Sequence, residues 1–211
     1  MIHELRIYTY RQNTVPQAIK DSATLSREIR GDAYGKLEGY WFTDIGPLNR
    51  VVHLWTYADL NERQRLRAEL ARNERWMKEY APLHRDIMVR QDVRLMTPVI
   101  GPAAPAEAPN VYELRTYRLK PGAVRKWIGL ITGVMPLREK YSKPAGLWIT
   151  EAGQPNEVVH IWPYKDLNHR AQVRAAAVAN PDWMAFISAS APLIDEMHSA
   201  IMLPAPHSPM Q

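Results

Sequence analysis

Residues Ile2 to Tyr10 alternate along an extended stretch, with His3, Leu5, Ile7 and Thr9 on one side and Glu4, Arg6, Tyr8 and Tyr10 on the other. That two-residue period predicts a β-strand. The period then lengthens: Val15, Ala18, Ile19, Ser22, Leu25 and Ile29 recur at helical spacing and predict a helix with one buried face. Alternation returns near 37–44 and 50–57, two strands joined through Gly46, Pro47 and Asn49, residues suited to a tight turn. Asp59 with Glu62 three positions later is a helix-capping pattern, so a second helix starts there. A short helix opens at Asn73, and a strand around 87–96 closes the series.

The whole series is written twice. VVHLWTYADLNER (Val51–Arg63) returns as VVHIWPYKDLNHR (Val158–Arg170), identical at nine of thirteen positions and displaced by 107. ELRIYTY at Glu4 returns as ELRTYRL at Glu113, GYWFTDIGPLN at Gly39 as GLWITEAGQPN at Gly146, and NERWM at Asn73 as NPDWM at Asn180. The displacement drifts slightly, and loops between elements are expected to absorb the difference. Residues 1–97 and 111–203 are thus two copies of one unit. PVIGPAAPAEAPN (98–110) reads as a semi-rigid linker and 204–211 as a loose tail. The order β-α-β-β-α-β in each copy is that of the ferredoxin-like folds. Its four-stranded sheet carries helices on one face and leaves the other bare. Two such sheets in one chain predict an α+β barrel, closed by packing the bare faces together.

YELRTYRLKPGAV, GLWITEAGQPNEVVHIWPYKDLNHRAQVR and NPDWM together resemble the NIPSNAP family of the dimeric α+β barrel superfamily, over nearly the whole chain as two tandem copies. The first copy departs from the motif, reading YRQNTVPQ where the second has YRLKPGAV. The resemblance implies the barrel fold. It leaves the reaction open, because the superfamily holds cofactor-independent monooxygenases, muconolactone-type isomerases, haem enzymes and ligand-binding proteins.

Composition narrows the chemistry. The 211 residues include no cysteine, which excludes disulfides, thiolate metal sites and a cysteine nucleophile. The net charge of +5 could steer an anion. The densest basic cluster (Arg63, Arg65, Arg67, Arg72, Arg75) alternates with Glu62, Glu69 and Glu74, as a solvated helix face would. Basic residues are not interleaved with aromatics, so no nucleic-acid partner is expected. No apolar run approaches membrane-spanning length and no targeting segment is evident, so a cytoplasmic location and no membrane partner are expected.

Candidate chemistry follows from strand faces. If Leu5 and Ile7 cover the helix-side core, then Glu4, Arg6 and Tyr8 point into the barrel, and Glu113, Arg115 and Tyr117 repeat them. By the same alternation His53 and Trp55, His160 and Trp162, and Trp41 and Trp148 face inward. Arginine offers a fork for a carboxylate, histidine titrates near neutrality, tyrosine can donate to an enolate, and tryptophan can wall a planar ligand. His53, His160, Tyr8, Tyr117, Glu4 and Glu113 are therefore the candidate catalytic residues. Arg6, Arg115, Trp41, Trp55, Trp148 and Trp162 are the candidate substrate-binding ones.

Two readings stand. One is a cofactor-independent isomerase, lyase or monooxygenase acting on a small anionic or aromatic compound inside the barrel. The other is a non-catalytic ligand-binding or interaction protein, in which Glu4 and Arg6 form a structural ion pair and His53 a hydrogen-bonded core histidine. Haem held by His53, His160 or His198 is a further alternative, although no attachment motif is present. Neither a metal nor another cofactor is expected. Apolar residues such as Trp127 and Trp183 on the outer helices predict a homodimer or larger homo-oligomer.

Overall fold

The computed structural model describes residues 1–108 and 110–211. In chain order the first copy runs β1 (Ile2–Tyr10), α1 (Val15–Asp21), a π-helical turn (Ser22–Ser26), α2 (Arg27–Arg30), β2 (Lys36–Ile45), β3 (Arg50–Tyr57) and α3 (Leu60–Arg72). A second π-helical turn (Trp76–Tyr80), α4 (Ala81–Arg85) and β4 (Met88–Ile100) complete it. The second copy runs β5 (Val111–Leu119), α5 (Val124–Arg138), β6 (Gly146–Ala152), β7 (Glu157–Tyr164), α6 (Leu167–Val178), α7 (Pro181–Ser190) and β8 (Ile194–Pro204).

The eight strands close into one barrel in the order β1-β3-β2-β8-β5-β7-β6-β4, every pairing antiparallel. Each copy supplies four consecutive staves. The seams between copies are β2 with β8 and β4 with β6, so neither half has a free edge. β4 runs four residues past the expected strand, the last three of them in the expected linker, with Pro98 opposite Trp148.

Local signals behave as their chemistry requires. Asp59 accepts the Glu62 amide at 2.8 Å and Asp166 the His169 amide at 2.7 Å, each capping its helix. The divergent first turn keeps its geometry: Asn13 takes φ +64° where the second copy has Gly122 at +80°, and asparagine is one of the few side chains that tolerates this region. The drift between copies does not fall only in loops. From Val15 to Arg30 the first copy has one residue more than from Val124 to Arg138, and the π-helical turn Ser22–Ser26 takes up the extra residue inside the helix.

The barrel faces reverse the expectation on β1, β3, β5 and β7. Antiparallel register pairs Leu5 with Leu54 and Ile7 with Val52, and pairs Glu4 with Trp55 and Arg6 with His53. It is the aliphatic set that fills the barrel: Leu5, Ile7, Val52 and Leu54 meet Leu114, Val159 and Ile161 from the other copy. Trp41, Trp148, Tyr112, Met96 and Met202 complete this core. Trp41 does point inward as expected, but it lies opposite Val52, so it cannot share a face with His53. The physical reason is closure. A sealed barrel offers charged groups neither water nor partners, so burying the Glu-Arg-His face there would carry a large desolvation cost. Under the helices, arginines from α3 and α6 can reach that face.

The tail is not loose. Ala205 donates to the Tyr40 carbonyl, the Tyr40 amide donates to Ser208 Oγ, and Met210 is buried with the barrel core. Trp127 is also buried, and Trp183 is half-buried, packing on Phe186 and toward Arg138. No helix among the described residues is long and apolar enough to cross a membrane.

Candidate functional site

Two chambers lie outside the barrel wall, one per copy, each between a sheet and its covering helices. The first holds about 600 Å³ and the second about 370 Å³. Arg6, Tyr8, His53 and Trp55 line the first; Arg115, Tyr117, His160 and Trp162 line the second. The fold therefore brings these eight predicted residues together four by four, though under the helices rather than inside the barrel. Trp41 and Trp148 join neither chamber. Each instead lies in the barrel core against a glycine two residues earlier: a Cβ on Gly39 would fall 2.0 Å from Trp41, and one on Gly146 2.2 Å from Trp148.

Glu4 and Glu113 sit behind the chamber walls as fully buried anchors. Glu4 accepts from Arg6 and from Arg63 of α3. Glu113 accepts from Arg115 at 2.7 Å, from Arg170 of α6 at 2.7 Å and from Ser199 at 2.7 Å, with Arg174 at 3.5 Å. Burial pushes the Glu113 carboxyl up, but these partners outweigh it and hold the group at about 2. Glu4 is likewise lowered, Arg6 and Arg63 overcoming the burial. Each carboxylate holds arginines in place, is fully buried, and lies outside the lining of its chamber.

The helix arginines are the residues that sequence reasoning missed. Arg63 and Arg67 belong to the cluster taken as a solvated face, yet Arg63 binds Glu4 and Arg67 lines the first chamber. Arg65, Arg72 and Arg75 are exposed as expected, Arg65 pairing with Glu69 and Arg75 with Glu79. A signal was available. At displacement 107, Arg63 and Arg67 recur as Arg170 and Arg174, whereas Arg65, Arg72 and Arg75 become Gln172, Ala179 and Asp182. Arg30 and Arg138 complete the sets. Arg30 stacks 3.6 Å over Trp55 and 5.8 Å from Trp76; Arg138 lies 4.5 Å over Trp162 and 5.4 Å from Trp183. Arg30 is buried, its Nε has no partner among the described residues, and no carboxylate pairs with it there.

His53 and His160 are each locked by a neighbouring tryptophan. Trp55 Nε1 donates to His53 Nδ1 at 2.5 Å, and Trp162 Nε1 to His160 Nδ1 at 2.6 Å. An imidazole that accepts at Nδ1 carries its proton on Nε2. His160 Nε2 is buried with no partner. Burial first, and then the surrounding arginines, lower the His53 ring well below its ordinary value and the His160 ring to about 3. Both rings are therefore neutral N–H donors near neutrality, not the proton carriers expected from an unperturbed histidine. Beside them Arg6 donates to Tyr8 Oη, and Arg115 to Tyr117 Oη at 2.5 Å. Each phenol oxygen thereby acts as an acceptor toward its arginine. Burial raises the Tyr117 phenol above its usual value, despite Arg115.

Beyond this shared set the chambers diverge. Tyr10, Ser22, Ser26, Tyr40, Tyr80 and His84 make the first polar, and Trp127, Ile131, Phe186 and Ile187 make the second apolar. His198 belongs to neither; it is exposed on β8 beside Glu196. No group of three or more histidine, aspartate or glutamate side chains suited to a metal occurs among the described residues.

The model of the NIPSNAP family matches twice, over residues 3–100 and 112–209, the two halves of the barrel. The chain belongs to the NIPSNAP family. A Dictyostelium discoideum NipSnap homolog is 28% identical over 96% of this chain and 87% of its own length. Human NipSnap homolog 2 is 31% identical over 83% of this NIPSNAP chain and 62% of its own length. Among solved structures, a Fusobacterium nucleatum protein provisionally described as a monooxygenase superposes with a TM-score of 0.72 at 12% identity, covering 97% of this chain and 92% of that one. An anthrone oxidase-like protein superposes at 0.69 and 8% identity, covering 96% and 90%. At such identities these two share the fold alone.

Proposed function

We propose that each helix-covered chamber binds a small planar organic anion, with the carboxylate or enolate oxygen taken by the arginines and the histidine Nε2–H. The observation that carries this reading is the excess of buried positive charge. Arg6, Arg30 and Arg67 line the first chamber, where Glu4 is the nearby carboxylate and is already clamped by Arg6 and Arg63. Buried charges are normally paired, so such a set calls for an anion. The tryptophan and tyrosine walls suit an aromatic or unsaturated body. Arginine, neutral histidine and tyrosine donors around one oxygen would stabilise an enolate as it forms. This supports a cofactor-independent enzyme of the isomerase, lyase or monooxygenase type over a purely structural role.

Calorimetric titration with phenylpyruvate, an aryl 2-oxo acid, and with its uncharged methyl ester tests the reading. The acid should bind saturably and at least tenfold more tightly than the ester. Arg6→Lys and Arg115→Lys keep the charge but lose the planar fork, and each should weaken the acid at its own site. Equal binding of acid and ester, or unchanged affinity in both variants, would contradict it.

A further inference from the structure

The first chamber contains a second histidine that the anion-binding set does not use. His84 of α4 is buried, its Nδ1 lies 3.1 Å from Tyr10 Oη, and its Nε2 has no partner among the described residues. Both His84 and Tyr10 line the chamber. The contrast with His53 is chemical. Trp55 can only donate, so it obliges His53 to accept at Nδ1 and to keep its proton on Nε2. A tyrosine hydroxyl can donate or accept. His84 can therefore donate Nδ1–H to Tyr10 and leave Nε2 as a buried, unpaired lone pair at the chamber wall.

We infer that His84, oriented by Tyr10, is the proton-transfer base of the first chamber, and that its substrates are aryl or conjugated 2-oxo and related acids carrying an acidic C–H next to the carbonyl. This rests on the anion-binding reading. The C–H bond breaks, its proton passes to His84 Nε2, and the electron pair moves into the carbonyl to give an enolate facing His53 Nε2–H and Arg6. Return of a proton from Nε2 to either end completes a tautomerisation or an exchange, with no oxidant needed. The groups facing the ring are Tyr10 from β1, Tyr80 from the π-helical turn with ring centroids 4.6 Å apart, and Asp21 at the end of α1. Burial keeps the imidazole neutral, against the opposing pull of Asp21. The second chamber has Leu119 where Tyr10 stands, and His160 is the one histidine lining it among the described residues. It binds but lacks this pair. Catalysis by one copy alone accounts for the divergence of two otherwise repeated sites.

Deuterium exchange at the benzylic carbon of phenylpyruvate, followed by proton NMR in deuterated buffer, is the test, run alongside binding calorimetry on the full chain. The wild type should accelerate exchange. His84→Gln should remove at least about 100-fold of that acceleration, a general base being worth 10²–10⁴, while phenylpyruvate still binds. Tyr10→Phe should lower exchange about tenfold and shift the His84 tautomer with affinity unchanged. Two-bond proton–nitrogen NMR of the wild type gives a readout that needs no variant to fold: His84 should show a populated unprotonated Nε2, and His53 and His160 a protonated one. Binding without exchange, or exchange undiminished in His84→Gln, overturns the inference alone. So does a His84 ring fixed with its proton on Nε2. Failure of phenylpyruvate to bind overturns the anion-binding reading and this inference with it.

Discussion

Trp162 gives its indole N–H to His160 Nδ1, and Trp55 repeats the bond on His53. This one contact fixes the tautomer of a ring that burial and the nearby arginines keep neutral. Removing it should change protonation geometry before it changes the fold. In Trp162→Phe the ring volume is largely kept, and His160 should lose its single Nε2–H tautomer for a mixture visible in nitrogen NMR. The lost orientation should weaken phenylpyruvate at the second site by about tenfold, the worth of roughly one hydrogen bond.

The buried histidines should make the protein acid-sensitive. His3, His53, His84 and His160 all have folded-state values below the ordinary 6.5. The unfolded chain then takes up protons first, so stability falls as pH drops below about 6.5, by about 1.4 kcal/mol per pH unit for each histidine involved. Glu113 acts in the same sense at lower pH: its contribution is complete above 4.5 and lost as pH falls toward about 2. Guanidinium unfolding between pH 7 and 4 should show this decline, and His160→Gln should reduce its slope by close to one proton.

Gly146 leaves room for the Trp148 ring that helps fill the barrel. Gly146→Ala should therefore displace that ring and destabilise the protein by about 1–3 kcal/mol, the usual range for overpacking a core. Pairing it with Trp148→Leu should recover part of the loss, because the smaller side chain no longer meets the new methyl. Denaturant melts of the single and double variants would measure the coupling.

The elements and the duplication were legible because period, caps and turn residues are local. The choice of strand face was not. Alternation says that Arg6 and Leu5 point opposite ways, but both faces of β1 carry large side chains, and period alone cannot say which one a barrel encloses. Cross-strand register settles it, since Trp41 lies opposite Val52 and Tyr40 opposite His53. The helix arginines could have been found by asking which members of the basic cluster recur. Tyr10 and His84 could not, because a feature present in one copy leaves no repeat to mark it.

The most direct check on where the site lies is a crystal structure of the protein grown with phenylpyruvate. The account predicts ligand density between sheet and helices, with the carboxylate among Arg6, Arg30 and Arg67 and the 2-oxo oxygen at His53 Nε2 in the first chamber. Density between the two sheets, in the space filled by Leu5, Val52, Trp41 and their counterparts, or clear chambers with ligand held elsewhere, would contradict it.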